Sequence, residues 1–188
     1  DTRLGVAIGD VAGHGLDSSV LMVQARIGMR MAALRGVSPS EVLDETGRLL
    51  NAIAPGSFAT AVFGVVDTVD RTFTWSRAGH CLPVVASASG ARLLADGSGP
   101  PLGVALDCGY CAATVVLGDD DVVVLHTDGL YERHDRSALV GERVLVDLLP
   151  DLVAERPELQ ALVDWLPRLV HETEPEDDIC LVALRLRT

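Results

Sequence analysis

The chain has 188 residues, 27 of them acidic and 15 basic, giving a net charge of -12 and a pI near 4.6. That length suits one domain, and 48% hydrophobic against 22% charged residues permits a sizeable core and argues against disorder. The acidic balance excludes generic binding to nucleic acid or anionic membrane surfaces, and the absence of lysine excludes lysine nucleophiles and Schiff bases.

Residues 4–8 form a short apolar run that predicts a buried strand. A glycine-rich loop follows, Gly9-Asp10-Val11-Ala12-Gly13-His14-Gly15. Asp17 and Ser18 are candidate caps for a helix whose apolar face is Val20, Val23, Ile27, Met31 and Leu34, ended by Gly36. Ser38-Pro39-Ser40-Glu41 has the pattern of a capping box with proline in the first turn, predicting a second helix to about residue 53. Runs of β type at 59–66, 72–77, 82–86 and 92–94, separated by Pro, Gly, Asp and Ser, predict an antiparallel meander. Strands at 115–117 and 122–126 are joined by the acidic turn Gly118-Asp119-Asp120-Asp121. Helices are predicted over 138–149 and 159–171, the second kinked at Pro167, and a strand over 179–186 closes the chain. Clustered rather than alternating elements argue for α+β layers, not a doubly wound sheet.

No apolar run approaches the roughly 20 residues of a membrane-spanning helix, and the N-terminus lacks the zones of a signal peptide. The cysteines at 81, 108, 111 and 180 are too scattered for a disulfide framework, so a reducing, cytoplasmic setting is expected. Cys108-Gly109-Tyr110-Cys111 has redox or zinc spacing but no second pair, and reads as packing cysteines. The first residue is not Met and a strand begins almost at once, so the chain is expected to be a fragment of a longer protein.

Three acidic sites share one setting. Asp10 ends the first strand, Asp128 follows the strand at 122–126, and Asp177 with Asp178 precedes the last strand. Turn chemistry alone explains any one of them. All three together would repel unless a cation joined them, and hard carboxylate oxygens suit Mg²⁺ or Mn²⁺. Two such ions bind a phosphate and acidify a water for in-line attack.

These residues also carry a resemblance. The loop at 9–15 resembles the G-D-V-x-G-H-G loop of bacterial PP2C-like (PPM) metal-dependent serine/threonine phosphatases of the SpoIIE/RsbU family. Ala78-Gly79-His80 resembles their A-G-H motif, Gly99-Pro100-Pro101-Leu102-Gly103 their P-L-G segment, Thr127-Asp128-Gly129-Leu130-Tyr131-Glu132 their T-D-G-h-x-E, and Asp177-Asp178-Ile179-Cys180 their terminal D-D-I-T. Five motifs in the family's order cover nearly the whole chain.

The resemblance implies a four-layer α-β-β-α sandwich lacking its first strands, because the G-G-D-aromatic-Y-D motif expected upstream has no match. It implies a single phosphatase domain over residues 1–188, N-terminally incomplete and part of a longer multidomain regulator with a possible fused sensor domain. The implied activity is hydrolysis of phosphoserine or phosphothreonine on a protein, a phosphorylated STAS-type anti-anti-sigma partner, with two Mn²⁺ or Mg²⁺ ions. The alternative is a catalytically weak or inactive pseudophosphatase that serves as a regulatory binding domain. By resemblance Asp10 bridges the metals, Val11 offers its carbonyl, and Asp128 with Asp177 or Asp178 completes the set. Gly13 and Gly15 allow close backbone approach to substrate, and His14 is either a proton donor to the leaving group or a loop hydrogen-bonding residue. His80 reads as structural, His126 and His134 as surface or packing residues, and Arg26 and Arg30 as a solvated helix face. Arg77 stands where the family usually has Asn, and Cys180 where it has Thr.

Overall fold

The N-terminal strand outruns its apolar pattern: β1 spans Arg3–Val11, because it pairs along its whole length with β2 (Ala59–Asp67), from Arg3 opposite Asp67 to Val11 opposite Ala59. The computed structural model describes residues 2–13, 15–105, 109–131, 138–155, 158–170 and 178–186. The remaining elements are α1 (Leu16–Ala33), α2 (Pro39–Ile53), β3 (Thr72–Ala78), β4 (Val84–Ser87), β5 (Gly90–Leu93), β6 (Ser98–Gly99), β7 (Ala113–Val116), β8 (Val122–His126), a 3-10 turn (Asp128–Leu130), α3 (Ala138–Glu155), α4 (Leu159–Val170) and β9 (Leu181–Arg185). They divide into two compact units, residues 1–80 with 96–116, and residues 81–95 with 117–188.

In the first unit the sheet runs β1-β2-β3-β6, and β7 also pairs with β3. The β2–β3 turn forms because the Asp67 carboxylate accepts the Val69 and Asp70 N–H groups at 2.9 and 3.1 Å. Helices α1 and α2 cover this sheet over a core of Val11, Leu21, Met29, Val42, Leu43, Leu50, Phe63 and Leu102. The predicted capping box is present: the Ser38 hydroxyl accepts the Glu41 N–H at 3.3 Å, and the Glu41 carboxylate accepts the Ser38 N–H at 2.9 Å. The hydroxyl and N–H of Ser38 hold the Glu41 carboxyl below its ordinary range.

Helix α1 differs from expectation twice. No side chain caps it; it starts directly after Gly15, and Asp17 lies inside its first turn. Its buried face is Leu21, Ala25, Met29 and Ala32, while Leu16, Val20, Val23, Ile27, Met31 and Leu34 are 46–79% exposed. Both stripes have helical spacing. The one with alanines allows close approach to the neighbouring helix and sheet, so the one with larger residues is left outside.

In the second unit the sheet order is β5-β4-β8-β9, all antiparallel. Strand β8 is buried along its whole length, and α3 and α4 pack on this sheet through Leu145, Leu149, Leu162 and Leu166. The single meander expected from the sequence is therefore two sheets. Strands β7 and β8, though joined by the acidic turn, belong to different ones, and β6 joins β3 in parallel. Helix α3 runs on through Pro150 to Glu155, six residues past its expected end. Each unit supplies one sheet and one helix pair.

Leu43 and Leu145, each 0% exposed, anchor the two cores. Replacing either with Ala is expected to cost ~2–5 kcal/mol in urea unfolding. Ile27→Ser on the exposed stripe should stay within about 0.5 kcal/mol.

Candidate active site

In the first unit β1 delivers Asp10 to an exposed strand end while its neighbour Val11 points into the core. The Asp10 carboxylate accepts the Val11 N–H at 2.8 Å, which fixes its rotation. Behind it stands Thr60, its cross-strand partner. The Thr60 hydroxyl donates to the Asp10 carbonyl at 3.5 Å and lies 2.8 Å from Nδ1 of His80. His80 is buried, as expected of a structural residue, and its carbonyl accepts from the Arg77 guanidinium at 2.8 Å. The A-G-H motif therefore backs the strand end that carries Asp10.

Past Val11 the chain leaves the ladder, and the Ala12 N–H bonds the Phe58 carbonyl at 3.2 Å. Gly13 and Gly15 have φ of 104° and 89°, a region that side chains disfavour, so the tight loop requires glycine at both. The Gly15 carbonyl accepts the N–H and hydroxyl of Ser19, both at 3.1 Å, which ties the loop to α1. His14 lies outside the described residues. Arg26 and Arg30 are exposed and border a groove of about 850 Å³ with Leu4, Val6, Met29 and Phe63, along the opposite end of β1 from Asp10.

In the second unit β8 ends at His126, and Asp128 follows in the 3-10 turn, partly exposed. Its carboxylate accepts the Gly129 N–H at 3.0 Å, and its carbonyl accepts the Tyr131 N–H at 2.8 Å. The Thr127 carbonyl accepts the Leu130 N–H at 3.2 Å. The Thr127 hydroxyl donates to the Asp178 carbonyl at 3.3 Å and accepts the Cys180 N–H at 2.9 Å. The T-D-G turn and the segment holding Asp178 are thereby joined. Asp178 is exposed. Asp177 lies outside the described residues, as do Glu132, His134 and Cys108.

Under Asp128 lies a cluster that no motif announces. His126 is buried and meets the Tyr131 ring edge-on at 5.3 Å; burial lowers its basicity below the ordinary histidine range. It is thus a packing residue, as expected. Cys81 contacts Tyr131, and burial, helped by the nearby Asp128 and Glu142 carboxylates, pushes its thiol up to about 11. Burial raises the Tyr131 hydroxyl too. The Glu142 carboxylate accepts the Leu82 N–H at 3.4 Å. The contributors are scattered over residues 81–142, and only folding brings them together. Cys111 and Cys180 are exposed, which corrects the reading of Cys111 as a packing residue.

Asp10 belongs to one unit and Asp128 with Asp178 to the other. Among the described residues, no three His, Cys, Asp or Glu side chains gather as a metal-binding group. The donors themselves, carboxylates fixed at strand ends beside backbone carbonyls, are the hard oxygens that Mg²⁺ and Mn²⁺ prefer.

A family model described as Stage II sporulation protein E (SpoIIE) matches residues 1–187. The phosphoserine phosphatase RsbP of Bacillus subtilis (strain 168) is 24% identical over 193 residues, covering 98% of this chain and 46% of RsbP. The chain spans about half the length of the curated relatives it matches. The crystal structure of the RsbU and RsbW domains of Rv1364c from Mycobacterium tuberculosis matches with a TM-score of 0.89 and 28% identity, over 99% of this chain and 53% of that one. The SiaA-PP2C domain of Pseudomonas aeruginosa matches with a TM-score of 0.76 and 21% identity, over 98% and 79%. The fold is the α+β fold of PP2C-like domains.

The raised Cys81 thiol makes a chemical prediction. The thiolate is the nucleophile, and at pH 8 Cys81 lies well below its pKa. Iodoacetamide at pH 8 should therefore label exposed Cys111 and Cys180 at least about tenfold faster than Cys81 in the folded chain, as followed by peptide mass spectrometry.

Proposed function

The chain belongs to the Stage II sporulation protein E (SpoIIE) family, and on that footing we propose that it is a metal-dependent protein serine/threonine phosphatase. Its substrate is phosphoserine or phosphothreonine on a partner-switching regulator, a STAS-type anti-anti-sigma protein. It acts in the cytoplasm as the phosphatase domain, residues 1–188, of a larger regulator with a sensor module. The relative named a phosphoserine phosphatase and the RsbU and RsbW domain structure support this reading. Among the described residues no helix is long and apolar enough to cross a membrane.

The observation that carries it is the orientation of Asp10 and Asp128. Each stands where a strand leaves its ladder, and each has one carboxylate oxygen tied to the next N–H, so the side chain is set before any ligand arrives. Asp10, the Val11 carbonyl, Asp128 and either Asp177 or Asp178 would hold two Mn²⁺ or Mg²⁺ ions. When bound, such ions neutralise phosphate charge and acidify water.

The rest falls to the chain's own groups. The glycine turns at 13 and 15 would let the loop backbone approach the phosphate closely. Water attacks phosphorus in line, the P–O bond to serine breaks, and the serine oxygen needs a proton as it leaves. His14, in the loop, is the proposed donor. No covalent phosphoenzyme is required. The alternative reading is a regulatory binding domain with a weak or inactive site.

The test is Mn²⁺-dependent phosphate release from a phosphoserine STAS protein. Asp10→Asn and Asp128→Asn should each lower the rate on the order of a hundredfold or more while the protein stays folded. Release that ignores Mn²⁺, or survives both substitutions, would overturn the phosphatase reading. Folded protein with no release at all would favour the binding domain.

A further inference from the structure

Strand β8 pairs with β9 in a regular antiparallel ladder up to His126 opposite Leu181. The next rung joins Thr127 to Cys180. There the Thr127 N–H donates to the Cys180 carbonyl at 3.1 Å, as the ladder requires. The return bond is different. In a hydrogen-bonded antiparallel pair the Cys180 N–H would bond the Thr127 carbonyl. Instead it bonds the Thr127 hydroxyl at 2.9 Å. The carbonyl is released to accept the Leu130 N–H, which closes the turn carrying Asp128. The same hydroxyl spends its proton on the Asp178 carbonyl at 3.3 Å.

We infer that Thr127 is a positioning residue for the metal-binding carboxylates, its hydroxyl standing in for a backbone carbonyl so that the Asp128 turn and the Asp178 segment are held side by side. The inference rests on the phosphatase reading and deepens it. One side chain lets the chain leave the ladder without stranding an N–H, and it couples two acidic motifs that lie 50 residues apart. The role needs a hydroxyl that accepts one bond and donates another. Serine meets that need; valine matches the shape of threonine and does neither.

The test uses the whole chain and Mn²⁺ itself, with free Mn²⁺ counted by electron paramagnetic resonance and folding checked by circular dichroism. Thr127→Val should weaken Mn²⁺ binding at least about tenfold, the scale seen when groups that orient metal ligands are lost. Phosphate release by this variant should recover when Mn²⁺ is raised. Thr127→Ser should stay within about threefold of wild type. Equal binding by wild type and folded T127V would overturn the inference and leave the phosphatase reading standing. T127S that binds as weakly as T127V, or more than about tenfold below wild type, would overturn it too, whether or not T127V folds. Wild type that takes up no Mn²⁺ would overturn the metal reading and this inference with it.

Discussion

A carboxylate that is to hold a cation must stay ionised, and it does so only where water or a partner solvates it. It must also be held still, which only a packed framework provides. In this chain the two demands meet at strand ends. Val122 to Leu125 are at most 1% exposed, yet Asp128, three residues past Leu125, is partly open to water. Leaving a buried ladder breaks backbone hydrogen bonds, and each orphaned group needs a new partner. In the second unit the Thr127 hydroxyl, the Asp128 carboxylate and two carbonyls of the turn supply those partners. In the first unit the Asp10 carboxylate takes the Val11 N–H, the Phe58 carbonyl takes the Ala12 N–H, and glycines carry the sharp turns. The bonds that let the chain escape the sheet are the ones that aim the acids.

The placement also bears on charge. With a net charge of -12 the surface does not attract a phosphoprotein at long range. On the phosphatase reading proposed above, attraction would be local, from cations at the acids and from N–H donors in the glycine turns. An acidic chain can then handle an anionic group, provided ions occupy the acids first.

Much of this was legible in the sequence because the signals are local. A glycine-flanked aspartate after an apolar run, or Ser38 three residues before Glu41, fixes a turn or a cap through neighbours alone. Asp10 and Asp128 were readable on that ground, as were the two glycines. What was not legible depends on partners far along the chain. On α1 the choice between two helical stripes turned on which one α2 and the sheet can approach. The larger residues, normally the safer guess, lost to Leu21, Ala25, Met29 and Ala32. The separation of β7 from β8 into different sheets, and the parallel pairing of β6, leave no periodic mark. The cluster of Cys81, His126, Tyr131 and Glu142 and the role of Thr127 likewise exist only once distant segments meet. Cys111 and Cys180 show the converse: a residue type that usually packs inside can be left exposed by the path of its strand or loop.

That strand-end acids are metal ligands is tested by anomalous diffraction at the manganese edge from crystals of this chain grown with Mn²⁺. Manganese peaks at direct-coordination distance from the Asp10 and Asp128 carboxylates are the expected result. Well-ordered crystals with no manganese at either carboxylate, or with manganese bound only elsewhere, would contradict it.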